Sequence, residues 1–228
     1  MKSNVAILTD TNSGITMQKA KDLGVHLILM PILIDGEVYL EEKDIQKDFF
    51  FEKLGSNADV TTSQPSPGDI LDKFDTLLKE YEEVVYIPMS SGLSGTCQTA
   101  SMLAADYDGK VHVVDNQRIS VTMRQSVLDA VALAEEGKSG AEIKAYLEED
   151  ALNAPIFIMV DTLKYLKKGG RVTAAGAAIG EVLNIKPVLK IDGGKLDAFA
   201  KARGTKQALK TILKALETER DTRLKGKE

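Results

Sequence analysis

Three short segments of the sequence are rich in serine, threonine and glycine, and we expect each to follow a strand; the first and the last come directly after an apolar run. They are residues 9–14, 61–68 and 90–96. We interpret the apolar runs as strands of a parallel sheet, whose ligands bind beyond the carboxyl ends of the strands. Hydroxyls, backbone N–H groups and the start of a following helix all attract an anion. The pattern therefore predicts a site for a carboxylate or phosphate group at this edge of the sheet.

Each segment taken alone has a simpler explanation, because serine, threonine and glycine before a helix are usually caps and turns. Ser66 suits a helix N-cap, Pro67 suits the first helical position, and Asp69 can complete a capping box. Capping is the better interpretation for any single segment. Several hydroxyl-rich segments at one edge favour a binding site.

A serine hydrolase is the first enzymatic alternative. The segment Gly92-Leu93-Ser94-Gly95-Thr96 is similar to a nucleophile elbow around Ser94, but Thr96 stands where the motif has glycine. Both histidines, His26 and His112, lie inside predicted strands, so neither is an evident base for Ser94.

A phosphatase is the second enzymatic alternative. Asp10-Thr11-Asn12 is similar to an aspartyl phosphatase loop, but Asn12 stands where those enzymes have a second aspartate. The sequence contains no P-loop motif that would bind a nucleotide. The single cysteine, Cys97, is expected to be a small buried residue near the start of a helix.

Two arginines could lie at the mouth of a cleft. Arg171 follows Lys167-Lys168-Gly169-Gly170, and the double glycine lets the backbone turn sharply. A helix end with a glycine cap explains this pattern equally well. Arg203 precedes Gly204 at the end of a predicted strand, where an exposed charge is the simpler interpretation.

The order of elements predicts an α/β protein of two domains. Residues 1–155 alternate apolar strands with helices, which predicts a parallel sheet covered by helices on both faces. The pattern over residues 156–228 predicts a smaller α+β domain. In it, strands at 186–191 and 195–201 flank the turn Asp192-Gly193-Gly194, and a helix covers 205–219.

Composition narrows the classes of function. The net charge of −5 argues against a nucleic-acid partner. One cysteine and two histidines cannot build a usual zinc site or an internal disulfide. No apolar run approaches the ~20 residues that span a bilayer, and no signal-type segment opens the chain. We therefore expect a cytoplasmic protein with no integral membrane segment.

The same segments resemble the DegV family over essentially the whole chain. The order and rough spacing of six motifs carry the resemblance. They are Leu8-Thr9-Asp10, Thr62-Ser63-Gln64-Pro65-Ser66, Ser91-Gly92-Leu93-Ser94-Gly95-Thr96, Val114-Asp115-Asn116, Leu166-Lys167-Lys168-Gly169-Gly170-Arg171 and Leu183-Asn184-Ile185-Lys186-Pro187. The set is specific, although each motif alone is weak.

The resemblance implies a non-catalytic, lipid-binding protein that holds a long-chain fatty acid between its two domains and needs no cofactor. Thr62, Ser63 and Ser94 would bind the carboxylate, with Gly95 and Thr96 around it. Arg171 and Arg203 would contact the phosphate or an ATP-dependent fatty-acid kinase, which makes acyl phosphate for phospholipid metabolism.

One feature of the family is not found in the sequence. Family members usually continue further and carry a segment similar to His-Thr-Gly-Pro-Gly, whereas this sequence ends in Lys225-Gly226-Lys227-Glu228. We therefore expect a second domain that is incomplete or is completed by another chain. An interaction module without a ligand is a third interpretation of the sequence.

Overall fold

The computed structural model describes residues 4–56, 58–178 and 185–226. Its contacts divide the chain into two compact units, Met1–Ala151 and Leu152–Glu228. The division falls four residues before the predicted boundary between residues 155 and 156, and the assignment of domains to 1–155 and 156–228 stays a prediction. The two units are described separately below.

Ten strands and nine α-helices lie in the described part of the chain. The strands are β1 (Val5–Asp10), β2 (His26–Ile28), β3 (Pro31–Ile34), β4 (Glu37–Leu40), β5 (Val60–Thr62), β6 (Glu83–Ile87), β7 (Val111–Val113), β8 (Ile156–Met159), β9 (Ile185–Ile191) and β10 (Asp197–Arg203). The helices are α1 (Met17–Leu23), α2 (Lys47–Gly55), α3 (Pro67–Leu77), α4 (Thr96–Ala104), α5 (Ser120–Glu135), α6 (Gly140–Glu149), α7 (Lys164–Gly169), α8 (Ala174–Ala177) and α9 (Gly204–Asp221).

A four-stranded parallel sheet forms the centre of the first unit, in the order β2-β1-β6-β7. On one face, Leu8 of β1 and Tyr86 of β6 join a core cluster with Phe74 of α3 and Ala100 of α4. Successive strand residues point to opposite faces, and all six residues of β1 are buried. Helices α5 and α6 contact strands of the same sheet. The predicted α/β fold with a parallel sheet flanked by helices is confirmed.

Two capping boxes fix helix starts at the residues that the sequence indicates. The Ser66 hydroxyl accepts from the Asp69 N–H at 3.1 Å, and the Asp69 carboxylate accepts from the Ser66 N–H. Ser139, which the sequence also predicts as a helix cap, forms the same arrangement with Glu142 at the start of α6. Satisfying these N–H groups stabilises each helix start by about 1 kcal/mol.

A second, antiparallel sheet of order β4-β3-β5 interrupts the parallel pattern. The sequence predicts one apolar run over residues 26–34 and a loop over 61–68. In the structure the apolar run is divided between β2 and β3, which belong to different sheets. The predicted loop is wrong at its start, because β5 extends to Thr62. The sequence also predicts a turn at Asp35-Gly36-Glu37, and the hairpin of β3 and β4 confirms it at Asp35 and Gly36. These two residues have φ of 50° and 88°, as a tight hairpin requires.

The second unit contains an antiparallel sheet of order β10-β9-β8, against which α9 packs. The hairpin predicted around Asp192 is confirmed as β9 and β10. Close packing explains the small residues near Gly176, where an added Cβ would lie 2.6 Å from Cγ2 of Val172. Residues 183 and 184 of the resemblance motif lie outside the described residues.

Within the described ranges, no helix combines the length and the apolar character that crossing a bilayer requires. The same ranges contain no group of three or more His, Cys, Asp or Glu residues arranged to hold a metal ion.

Candidate functional site

The segment 90–96 turns back on itself where β6 ends. Ser90 is fully buried, and its carbonyl accepts from the N–H groups of Leu93 at 2.9 Å and Ser94 at 3.1 Å. The Ser90 N–H in turn donates to the carbonyl of Arg118 at 2.9 Å. These bonds hold the segment at the carboxyl edge of the parallel sheet, where the sequence predicts a site.

Ser94 lies half-buried at the start of α4. Its Oγ is 2.9 Å from the Thr96 Oγ1 and accepts from the Thr96 N–H at 3.2 Å. Gly95, the N-cap of α4, has no side chain to cap the helix. The Ser94 hydroxyl therefore lies beside the positive end of the helix dipole, an environment that favours an anionic oxygen.

Thr62 and Ser63 lie where β5 ends, and both are exposed. The Ser63 N–H donates to the carbonyl of Pro31, and its hydroxyl donates to the carbonyl of Gln64 at 3.0 Å. Thr62 is the cross-strand partner of Ile32. The sequence predicts these hydroxyls at the edge of the parallel sheet. This is wrong, because the antiparallel sheet carries them.

Gln64 brings these two hydroxyl-rich segments together. Its side-chain Nε2 donates to the Thr99 hydroxyl of α4 at 3.2 Å. A Cβ placed on Gly95 would meet Gln64 Oε1 at 2.8 Å, so the amide rests directly on the glycine backbone. Gln64 belongs to one of the six motifs, but the sequence predicts no role for it. Gln64 and Gly95 are 31 positions apart, so no local pattern in the sequence indicates that they are in contact.

Asp115 and Asn116 border the same edge. The Asp115 carboxylate accepts from the Ser91 N–H at 3.2 Å. Asn116 is fully buried, and neither its amide oxygen nor its amide nitrogen has a hydrogen-bond partner among the described residues. A buried amide of this kind needs a water or a ligand group as a partner.

Asp10 is placed as a structural residue and not as a nucleophile. It is fully buried, and its carboxylate accepts from the Met89 N–H at 3.1 Å and from both the backbone and side-chain N–H groups of Asn12. Burial raises the pKa of Asp10 to about 6, although these hydrogen bonds act in the opposite direction. These donors cover the oxygens of Asp10, whereas the phosphatase alternative requires an exposed carboxylate.

The histidines do not complete a hydrolase site. His112 Nε2 lies 2.7 Å from the Glu83 carboxylate, and His26 Nε2 lies 3.4 Å from the Tyr81 hydroxyl. No histidine is among the described hydrogen-bond partners of Ser94. Cys97 is buried as predicted, and burial raises the pKa of its thiol to about 12. The thiol is therefore un-ionised at neutral pH.

Arg171 and Arg203 both belong to the second unit. Gly170 caps α7 with φ of 68°, as the capping interpretation requires, and the Arg171 guanidinium donates to the carbonyl of Gly169. Arg203 is the exposed last residue of β10 and directly precedes α9. The predicted roles of both arginines stay predictions.

Comparison with known proteins identifies the family. The family model described as an uncharacterised protein of the DegV family matches residues 4–227. The chain belongs to the DegV family. The resemblance of the six motifs is thereby confirmed.

Relatives of this DegV family member extend beyond it in length. A DegV domain-containing protein of Staphylococcus aureus (strain N315) is 31% identical over 210 residues, which are 92% of this chain and 75% of the relative.

Two solved structures share its fold with a TM-score of 0.84. One is described as the fatty acid binding of a DegV family protein from Thermus thermophilus (35% identity, covering 94% of this chain and 77% of that one). The other is described as DegV, a fatty acid binding protein from Bacillus subtilis (30% identity, 96% and 79%).

Proposed function

We propose that this DegV family member is a lipid-binding protein that holds a long-chain fatty acid with its carboxylate at Thr62, Ser63 and Ser94. The contact of Gln64 with Gly95 carries the proposal, because it joins the two hydroxyl-bearing segments within one unit. Relatives at 35% and 30% identity that are described as fatty-acid-binding support it.

The chemistry of the candidate site suits a carboxylate. Hydroxyl and backbone N–H donors satisfy a carboxylate without a full counter-charge, and the start of α4 adds a favourable dipole. Leaving the carboxylate unpaired in an apolar environment would be costly. Each methylene of the acyl chain that is removed from water adds about 0.8 kcal/mol to binding. A site of hydroxyls beside the start of a helix therefore suits the head group of a fatty acid.

The finer part of the proposal concerns a kinase. We infer that the chain acts in the cytoplasm as a carrier, presenting the carboxyl group to an ATP-dependent fatty-acid kinase. The kinase transfers the terminal phosphoryl group of ATP to the carboxylate and forms acyl phosphate. The absence of a P-loop motif from the sequence agrees with a nucleotide bound by the kinase and not by the carrier. Arg171 and Arg203 would serve the kinase or the phosphate.

Replacing Ser94 with Ala should weaken fatty-acid binding by about 1–3 kcal/mol, the usual loss when a buried polar partner is removed. Equilibrium binding of a fluorescent long-chain fatty acid measures the effect. Ser91→Ala is the matched control, because Ser91 is exposed in the same segment and contacts Asp115 through its backbone only. Equal affinity of both variants and the wild type would place the carboxylate elsewhere.

Native mass spectrometry of the purified protein, with extraction of bound lipid, tests the proposal more broadly. We expect one long-chain fatty acid per chain. A chain that is empty and cannot be loaded would contradict the carrier function. Turnover of simple esters or phosphate monoesters by the chain alone would instead support a hydrolase or phosphatase.

The kinase role is tested by adding a fatty-acid kinase and ATP to the loaded carrier and measuring acyl phosphate. We expect Arg171→Ala to lower the rate by about tenfold or more, since a guanidinium that contacts a phosphate or a partner makes charge-assisted hydrogen bonds. Fatty-acid content should be unchanged. Lys195→Ala, an exposed basic residue of the same unit, is the control. Equal rates for the two variants would remove Arg171 from the proposal.

A further inference from the structure

Helix α9 carries two apolar stripes, of which only one is covered. Ala208, Ile212 and Ala215 face the sheet of the second unit, where Ala208 and Ile212 join a cluster with Val188 and Ala202. The adjacent stripe consists of three leucines that are between 43% and 61% exposed: Leu209, Leu213 and Leu216. We call these three residues the outer leucine stripe.

Ion pairs fix the rotation of α9 about its axis. The Glu219 carboxylate lies 2.9 Å from the Lys190 ammonium of β9 and 2.9 Å from the Arg223 guanidinium. Arg223 also pairs with Asp192 of the β9–β10 turn at 2.9 Å. Together with the packing of Ala208 and Ile212 against the sheet, these ion pairs orient the outer leucine stripe away from it.

The spacing of the stripe is that of a coiled-coil seam. Leu209, Leu213 and Leu216 are separated by four and then three residues, as d, a and d positions of a heptad are. Lys210 and Glu217 then both occupy e positions, which flank the seam on the side away from the sheet. Both are exposed.

The charges of the flanking positions select a second, antiparallel copy of the same helix. An antiparallel pairing that sets Leu213 against Leu216 brings Lys210 of each copy alongside Glu217 of the other. A parallel pairing would instead oppose g and e positions, Thr205 with Lys210 and Ile212 with Glu217, and would form no ion pair. We propose that the outer leucine stripe of α9 is a self-association surface that joins two copies of this chain about a two-fold axis.

This proposal goes beyond fatty-acid binding and does not depend on it. The seam is short, because the next a positions of α9 on either side of it are Lys206 and Arg220. Its helix is already folded against the sheet, however, so association does not have to order it. The two-fold symmetry repeats each Lys210–Glu217 pair, and a single change therefore acts twice.

Sedimentation velocity over a wide dilution series tests the proposal. The wild-type chain should sediment as a dimer at high concentration and dissociate on dilution. Lys210→Glu and Glu217→Lys should each lower the association constant about tenfold, since each turns both symmetry-related pairs from attraction to repulsion. The double variant Lys210→Glu/Glu217→Lys should restore it.

The control is Lys214→Glu, which makes the same charge change at an exposed b position outside the seam and should leave the dimer intact. Circular dichroism confirms that each variant is folded. A wild-type chain that is monomeric throughout the series would overturn the proposal. So would a dimer that tolerates both single reversals, or a double variant that remains dissociated.

Discussion

Replacing Phe74 with Ala should lower the free energy of unfolding by about 3–5 kcal/mol, the usual cost of truncating a buried aromatic side chain. Phe74 is fully buried in the cluster between α3 and the parallel sheet. Its ring meets Tyr86 edge-on at a centroid distance of 6.0 Å and Tyr107 at 5.6 Å. The substitution removes both ring contacts and leaves a cavity that the surrounding strands cannot fill.

Urea denaturation followed by far-UV circular dichroism measures this effect. Phe51→Ala in α2 is the matched control, because the same atoms are removed from a side chain that is 63% exposed. A surface change of this kind should alter stability by no more than about 0.5 kcal/mol. Comparable losses in the two variants would mean that the cluster around Phe74 is not the core of the first unit.

The second large effect concerns pH and Asp10. Burial raises the pKa of Asp10 in the folded chain to about 6, above its ordinary value of 3.8. The protonated form is thus favoured by folding. The contribution of Asp10 to stability is fully present below about pH 4 and is lost as the pH rises to about 6. The difference of roughly two pKa units corresponds to roughly 3 kcal/mol.

Free energies of unfolding of the wild type and Asp10→Asn, measured from acid to neutral pH, isolate this contribution. The asparagine cannot titrate, so the wild-type value minus the variant value should fall by roughly 3 kcal/mol across this window. The difference in unfolding free energy at any single pH also includes the effect of the substitution on the hydrogen bonds to Met89 and Asn12. The change of this difference with pH is therefore the quantity that reports the pKa of Asp10. A constant difference would mean that folding leaves the pKa of Asp10 unchanged, and a rising one would mean that folding lowers it.

Local chemistry allowed much of the fold to be predicted. Helix starts at Ser66 and Ser139 follow from capping side chains within three residues, and the hairpin at Asp35 follows from turn residues that tolerate positive φ. The antiparallel sheet of β3, β4 and β5 was missed. Its strands have only three or four residues, too few for an alternation of apolar and polar residues to be distinguished from a loop.

The sequence predicts which segments form the candidate site, but it does not predict the contacts between their residues. Hydroxyl-rich segments after strands indicate an edge where an anion can bind, and segment 90–96 lies at such an edge. The approach of Gln64 to Gly95 and the buried amide of Asn116 depend on tertiary packing that the sequence does not express. The motif Asp10-Thr11-Asn12 is similar to a phosphatase loop. In the fold, however, hydrogen-bond donors cover the carboxylate of Asp10.

The position of β1 in the sheet has a consequence for synthesis on the ribosome. This first strand lies between β2 and β6, and the Thr9 hydroxyl donates to the carbonyl of Ile87, 78 positions later. At about 5–20 residues added per second, Thr9 is added to the chain roughly 4–16 s before Ile87. All six residues of β1 are buried in the folded protein. Of the two strands that pair with β1, β2 alone is complete during that interval. The nascent chain must therefore carry an open, apolar strand edge, the kind of surface that chaperones shield from other chains.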